Sequence, residues 1–304
     1  MSGPLRVERD VEVGRWIQDA LAEDGTVAAV VPDAFEAYAR VLHPASIAAP
    51  HPEGPDPRWP DEPRWGEWHP LRWARSGELL EREPREGPWA DTFGDEQLRL
   101  DDGSLVSPPE SGEPPLDLLT AILETVLDEQ GDAEVLAGVW EGRGLDPRSV
   151  AHFSWEEGDE HRSRAEIAAR AEALTQRMRL AMAERIDPEV RAAMRDGAVL
   201  GLPREGWGRG HVLLRARLRA LVDPAWVELA GLGWPAPQGE QMPGDGRTPN
   251  ILWPTEPQGA PAWMVATDLD VDSTIVAGSA RLVGRILADD RLEAVRATPA
   301  TRIA

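Results

Sequence analysis

The most regular hydrophobic pattern of the chain lies between Pro115 and Gly131. Apolar residues recur there at intervals of three and four, which is the spacing of one helix face. The proline stands where a helix begins, and the glycine stands where one ends. The pattern therefore predicts a helix over this segment.

A second helical pattern begins near Ser163. This serine and Glu166 have the spacing of a capping box, in which each side chain bonds the backbone N–H of the other residue. Apolar residues then keep the helical period until Asp187-Pro188 starts another helix. We predict an inserted helical hairpin over residues 156–200, with its methionine-containing apolar stripe packed in a core.

A further helix is predicted after Pro32. Phe35, Tyr38 and Leu42 recur at helical spacing, and the His-Pro pair that ends at Pro44 would stop the helix. Ser279 lies at the start of another helix near the end of the chain.

Strands are predicted where apolar residues form short runs or alternate with polar ones. Prolines crowd residues 44–63, which indicates irregular or extended chain. The predicted strands cover residues 135–140, 211–218, 262–269 and 273–277.

These elements predict an α+β fold, with a small, mainly antiparallel sheet flanked by helices and an inserted helical hairpin. Residues 1–155 would form the N-terminal part of a mixed α+β domain, and residues 156–200 the insertion. Residues 201–304 would supply the strands and the helix that complete the sheet.

Composition narrows the class of protein. The 304 residues include 54 acidic residues and 32 basic ones, all arginine, for a net charge of −22. There is no cysteine, which excludes disulfides, zinc ribbons and thiol nucleophiles. The start of the chain is charged, and no apolar run approaches the length of a membrane span. We expect a cytoplasmic protein with no membrane association and no cofactor.

The charge is distributed unevenly. Residues 162–219 contain thirteen arginines and seven acidic residues, a local net charge of +6, whereas the rest carries −28. The basic segment either docks against acidic surface or is a solvated helix face. The acidic remainder repels phosphate backbones, which argues against nucleic acid and favours a basic protein partner.

Tryptophan is unusually frequent, with thirteen residues against three phenylalanines and one tyrosine. Several of them lie between prolines and arginines in the first third of the chain. They form either a stacking platform, supported by cation–π contacts, or a core patch in a region poor in leucine and isoleucine. The candidate binding residues are Trp65, Trp68, Trp73, Trp253 and Trp263.

One group of carboxylates has regular spacing, Asp268, Asp270 and Asp272. On a strand, residues two apart point to the same face, so the three carboxylates would converge and favour Mg²⁺ or Ca²⁺. The alternative is an acidic turn between two strands.

The chain has no Walker A loop, no Gly-x-Ser-x-Gly sequence and no His-Glu-x-x-His sequence, and its six histidines are scattered.

Separate blocks of the sequence resemble an uncharacterised actinobacterial protein family. They cover about a third of the chain, at 13–17, 31–44, 139–142, 249–254 and 262–278. They read VGRWI, VPDAFEAYARVLHP, VWEG, PNILWP and, within the last, AWMVATDLDVDST.

Two positions depart from the pattern of that family. It usually has a second tryptophan within the segment Ile251-Leu252-Trp253, and a glutamate at the position of Asp268. The resemblance implies a fold related to that of the family, and it implies no mechanism.

Two hypotheses on function follow. The first is a non-enzymatic, acidic binding protein, of an immunity type or a scaffolding type, that engages a basic protein partner. The alternative is a metal-assisted hydrolase that uses Asp268, Asp270 and Asp272, with a tryptophan lining the site.

Overall fold

The computed structural model combines antiparallel sheets with flanking helices. Every strand pair among the described residues is antiparallel, and the predicted α+β class is confirmed. The structure describes residues 5–22, 25–54, 63–83, 86–112, 114–142, 145, 163–202, 209–233, 248–255 and 261–304.

The elements are numbered in chain order. The strands are β1 (Arg6–Glu8), β2 (Ala37–Leu42), β3 (Ala45–Pro50), β4 (Trp65–Leu71), β5 (Leu98–Arg99), β6 (Leu105–Ser107), β7 (Glu134–Trp140), β8 (Leu200–Leu202), β9 (Arg209–Arg217), β10 (Ile251–Pro254), β11 (Met264–Ala266), β12 (Ser273–Gly278) and β13 (Ala294–Ala297). The α-helices are α1 (Arg15–Gln18), α2 (Trp73–Leu80), α3 (Trp89–Phe93), α4 (Leu116–Gln130), α5 (Arg164–Arg185), α6 (Pro188–Arg195), α7 (Leu218–Val222), α8 (Trp226–Leu229) and α9 (Ala280–Leu287).

The main sheet has the order β1-β9-β7-β10-β11-β12-β2-β13, and β8 also pairs with β9. Helices α4 and α9 pack against one of its faces. Along β7, Val135, Ala137 and Val139 belong to the core on that side, whereas Leu136 belongs to the core on the other side. This alternation is the period of a strand buried on both faces.

A second sheet has the order β4-β3-β6-β5. Helices α2 and α3 contribute Trp73, Trp89 and Phe93 to a separate core on its inner face. The two sheets are joined where β2 ends at Leu42 and β3 begins at Ala45. Residues 44–63 were expected to be irregular or extended, and β3 is extended, with proline only at its last position. Residues 55–62 lie outside the described residues.

The helix predicted after Pro32 is also wrong, because this segment leads into the inner strand β2. This strand pairs with both β12 and β13, and its last five residues are buried. A strand buried on both faces lacks polar alternation, so its apolar spacing also fits a helix. The turn before it is held by Tyr38, whose hydroxyl donates to the Pro32 carbonyl at 2.9 Å and accepts from the N–H groups of Ala34 and Phe35.

Several sequence predictions are confirmed. Helix α4 follows Pro115 and is capped by Gly131, and β7, β9 and β12 lie at three of the predicted strand positions. Glu166 Oε2 accepts from the Ser163 N–H at 2.8 Å, and the Ser163 hydroxyl accepts from the Glu166 N–H at 3.3 Å, so both bonds of the capping box are present. The side chain of Ser279 accepts from a backbone N–H of α9, as an N-cap does.

The helical segment after residue 163 is less buried than its apolar stripe predicts. Ile167 is buried in α5, but Met178 is 37% exposed and Leu180 is 64% exposed. The shorter α6, capped by Asp187, contacts β1 and β9. Residues 156–162 lie outside the described residues. No helix in the described ranges combines the length and the hydropathy needed to cross a membrane.

Candidate functional site

A buried ion pair lies where the main sheet meets the second sheet. Arg40 of β2 donates through Nη2 to Oδ1 of Asp272 at 2.7 Å, through Nε to the hydroxyl of Ser273 at 2.8 Å, and through Nη1 to the carbonyl of Gly87 at 2.6 Å. Its guanidinium also lies 5.4 Å from the centre of the Trp73 ring. Every nitrogen of this arginine therefore has a protein partner.

The second oxygen of Asp272 accepts from the backbone N–H of Trp89 at 2.6 Å. The carboxylate thus links β2 and β12 to the first residue of α3. Burial lowers the pKa of Arg40, and the neighbouring carboxylate opposes that shift. With its charges paired and its atoms enclosed, this centre stabilises the junction of the two sheets.

His43 lies beside this centre and is also buried. Its Nδ1 lies 3.1 Å from the Glu110 carbonyl, and its Nε2 lies 2.9 Å from the hydroxyl of Thr274. Burial lowers its pKa to about 4, so the ring is neutral at neutral pH. Both ring nitrogens are engaged inside the protein, which leaves the ring no open position toward solvent.

The aspartate triplet lies in a turn and not on a strand. Strand β11 ends at Ala266 and β12 begins at Ser273, so the strand predicted over residues 262–269 is shorter than expected. The interpretation of the triplet as an acidic turn between two strands is therefore confirmed. The interpretation in which the three carboxylates share one face of a strand is wrong, because a turn does not keep the two-residue period. Asp270 N–H donates to Asp268 Oδ1 at 3.2 Å within this turn.

Two arginines bond the three aspartates. Arg209 of β9 donates to Asp268 Oδ1 and to Asp270 Oδ2, each at 2.5 Å, whereas Asp272 is held by Arg40. No group of three histidine, cysteine, aspartate or glutamate residues in the part of the chain that the structure describes has the arrangement of a metal site. The nearby His211 is buried, and burial lowers its pKa to about 4.

The structure separates the candidate tryptophans into two groups. Trp73, Trp253 and Trp263 are at most 2% exposed and pack in the cores. Trp65 and Trp68 are half-buried and lie on the edge strand β4. The five residues therefore do not form one platform.

A surplus of carboxylates surrounds the second sheet. We call the described residues of 63–112 the acidic lobe. The sequence has eleven acidic residues and six arginines over residues 63–112, so a count of charges over this range would have identified the excess of carboxylates. Nine of the acidic residues are exposed and form no ion pair within the described structure: Glu67, Glu81, Glu83, Glu86, Asp95, Glu96, Asp101, Asp102 and Glu110.

Three arginines of the acidic lobe have partners other than carboxylates. Arg82 donates to the carbonyls at the end of α3, and Arg72 donates to the Asp290 carbonyl. The Arg99 guanidinium lies 4.9 Å from the centre of the Trp65 ring. These contacts explain why so many carboxylates of the lobe remain without a cation.

One surface depression of about 320 Å³ lies between β1 and α6. Its lining is Val7, Arg9, Pro188, Glu189 and Ala192, and the arginine already pairs with Asp196 at 2.6 Å. It brings together no groups for catalysis.

Comparison with protein-family models, curated proteins and solved structures found no match to this chain. The geometry and charge of the molecule are therefore the basis for its proposed function.

Sequence reasoning did not identify Arg40 or Arg209, the two residues that hold the aspartates. The sequence does contain a signal for Arg40, because this residue interrupts an otherwise apolar run from Tyr38 to Leu42. A charge within a buried strand requires a partner of opposite charge. Nothing in the local sequence indicates which carboxylate that partner is.

Proposed function

We propose that this protein is a non-enzymatic, acidic binding protein of the cytoplasm that engages a basic protein partner, in an immunity-type or scaffolding role. The observation that carries the proposal is the set of nine exposed carboxylates of the acidic lobe that have no ion pair in the described structure. The net charge of −22 supports it.

Unpaired like charges repel one another, and this repulsion lowers the stability of the folded chain. A basic partner relieves the repulsion when it binds. The field of the lobe also accelerates the encounter with such a partner, and this acceleration falls as salt is added. Surface charge of this kind therefore favours fast, salt-sensitive association.

Three side chains with catalytic potential are already engaged within the described structure. His43 and His211 are buried and have a pKa near 4, and Asp272 is held by a buried arginine. These contacts support a binding role in preference to general acid–base catalysis, which needs a group within reach of a substrate.

The alternative, a metal-assisted hydrolase, depends on cation binding by Asp268, Asp270 and Asp272. Arg209 bonds the first two carboxylates, and the third lies in the buried pair with Arg40. No observation in the described structure favours this alternative over the binding proposal.

The proposal is tested by affinity capture with two charge variants. The lobe variant carries Glu81→Gln, Glu83→Gln, Asp95→Asn and Glu96→Gln. The control variant changes four exposed acidic residues outside the lobe by the same total charge, through Asp33→Asn, Glu184→Gln, Glu228→Gln and Asp290→Asn.

The tagged wild-type protein is expected to retain one stoichiometric, basic protein from host lysate, and added salt is expected to release it. The lobe variant should lose this protein, and the control variant should keep it. Equal loss from both variants would indicate that net charge alone attracts the partner. An empty capture by the wild type would overturn the proposal.

A further inference from the structure

The outer face of the second sheet carries a row of four side chains, one from each strand. Trp68 pairs with Ala48, Ala48 pairs with Leu105, and Leu105 pairs with Arg99. Residues directly opposite in antiparallel strands have side chains on the same face. Trp65 lies on this face too, because its ring lies against the guanidinium of Arg99. The pairing of β3 with β4 shifts register between Ala48 and Pro50, the residue opposite Trp65.

Arg99 interacts with an aromatic ring and not with a carboxylate. Its guanidinium lies 4.9 Å from the centre of the Trp65 ring, and it forms no ion pair with any described residue. Ala48 and Leu105 are nevertheless buried, although they belong to none of the three hydrophobic cores. The arginine and the indole thus meet above a small apolar floor.

Trp68 has no equivalent contact. It is half-buried, and its ring has no aromatic, cation–π or hydrogen-bond partner among the described residues. One of the two indoles on this face therefore holds a guanidinium, and the other is open to one. We call Trp65, Trp68, Ala48, Leu105 and Arg99 the tryptophan face.

We propose that the tryptophan face binds arginine side chains from an extended, basic segment of the protein partner. This inference rests on the proposed function and specifies the chemical group that the partner presents. A partner guanidinium stacks on Trp68 as Arg99 stacks on Trp65, because the electron-rich face of an indole attracts a cation.

Charge complementarity favours a basic occupant. Exposed acidic residues without ion pairs border Trp68 and Arg99 in the sequence, within β4 and on both sides of β5. The turn after β5 is held next to the end of β3, since a Cβ atom on Gly103 would lie 3.2 Å from Cγ of Pro50. The bordering acidic residues are Glu67, Asp95, Glu96, Asp101 and Asp102.

Arginine suits this surface better than lysine does. Its planar guanidinium stacks on a ring and still directs N–H groups toward carboxylates at the edge, whereas the ammonium of lysine is compact and strongly hydrated. Nucleic-acid bases also stack on tryptophan, but the acidic border repels their phosphates. A preference for arginine over lysine is the signature that separates stacking from simple charge attraction.

The test uses two labelled peptides of equal length and charge, one with arginine and one with lysine, separated by glycine and serine. Binding is measured by fluorescence anisotropy at about 0.1 M salt, where long-range attraction is partly screened. The wild type should bind the arginine peptide more tightly. Trp68→Ala should weaken that binding about two- to fivefold and weaken binding of the lysine peptide less, so that the preference for arginine falls.

Three further variants keep the result interpretable. Trp68→Phe preserves an aromatic ring and should retain part of the preference for the arginine peptide over the lysine peptide. This variant tests the inference even if the alanine variant fails to fold. Leu229→Ala removes an exposed apolar side chain outside the tryptophan face and should change nothing. Arg99→Gln frees Trp65, so it should increase the preference for the arginine peptide over the lysine peptide.

The outcomes distinguish the two proposals. Equal affinity for both peptides, or an unchanged preference in the Trp68 and Arg99 variants, would overturn this inference and leave the proposed function standing. Failure of the wild type to bind either peptide would count against the proposed function itself.

Discussion

Nη2 of Arg40 lies 2.7 Å from Oδ1 of Asp272, and the two side chains expose only 3% and 10% of their surface. The residues are 232 positions apart in the sequence. Because the other carboxylate oxygen accepts from the Trp89 N–H, the same aspartate compensates a buried cation and fixes the start of α3. The contact therefore couples the main sheet to the second sheet.

Asp272→Asn should destabilise the protein strongly. The substitution keeps the size of the side chain but leaves the Arg40 cation buried without a counter-ion. Breaking a buried pair in this way typically costs about 3–5 kcal/mol. The expected result is a lower midpoint of urea unfolding with an unchanged slope, measured by circular dichroism.

Asp270→Asn is the matched control for that prediction. It is the same chemical change two residues away, on a carboxylate that is 74% exposed and pairs with Arg209. An exposed pair contributes up to about 1 kcal/mol, so its loss should be small. Equal destabilisation by the two variants would contradict the structural role given to Asp272.

Stability should fall as the pH drops below about 6.5, because His43 and His211 are buried in the neutral form. Both have a pKa near 4 in the folded protein, against 6.5 in the unfolded chain. Between these values the unfolded chain binds more protons, so acid favours unfolding. Each histidine should cost about 2 kcal/mol at about pH 5 compared with neutral pH.

The measurement is urea unfolding at several pH values from about 7.5 to 5, where most carboxylates remain ionised. His43→Gln and His211→Gln should each reduce the slope of stability against pH. Asp289, whose pKa is lowered to about 2 by Arg291, loses its contribution only in stronger acid, so it does not affect this window. A slope that neither substitution changes would be inconsistent with buried, neutral histidines.

The sequence predicted the elements whose signals are local. Helix α4 was evident from its apolar period between proline and glycine, and the start of α5 from the spacing of Ser163 and Glu166. Strand β2 was predicted as a helix because it is buried on both faces. The short strand β13 was missed, since four residues with a half-exposed pattern carry too little periodicity.

The candidate site was less predictable, because its contacts join distant parts of the chain. The spacing of Asp268, Asp270 and Asp272 was visible, but the turn that separates them and the arginines that hold them were not. The division of the tryptophans depends on burial. Trp73 is enclosed because α2 packs on the second sheet, whereas Trp68 lies on the outer face of the same sheet.

The turn at residues 267–272 should not bind Mg²⁺ or Ca²⁺, because Arg209 already bonds Asp268 and Asp270 at 2.5 Å and Asp272 lies in the buried pair with Arg40. Calorimetric titration of the wild type with either cation should give no saturable heat, and the melting temperature should not rise. Saturable binding that disappears in Asp270→Asn would revive the metal-assisted alternative.

Gly138→Ala should destabilise the main sheet, because β7 and β10 approach each other closely at this residue. A Cβ atom there would lie 2.5 Å from Cγ1 of Ile251, which is directly opposite on the neighbouring strand. Overpacking of this kind typically costs about 1–3 kcal/mol. Gly201→Ala, on β8 of the same sheet, meets no atom within 4 Å and should be neutral or stabilising by about 0.4–1 kcal/mol. Urea unfolding of the two variants compares the same added methyl group in a closed position and in an open one. Equal effects on the free energy of unfolding would contradict the close approach of β7 to β10 at Gly138.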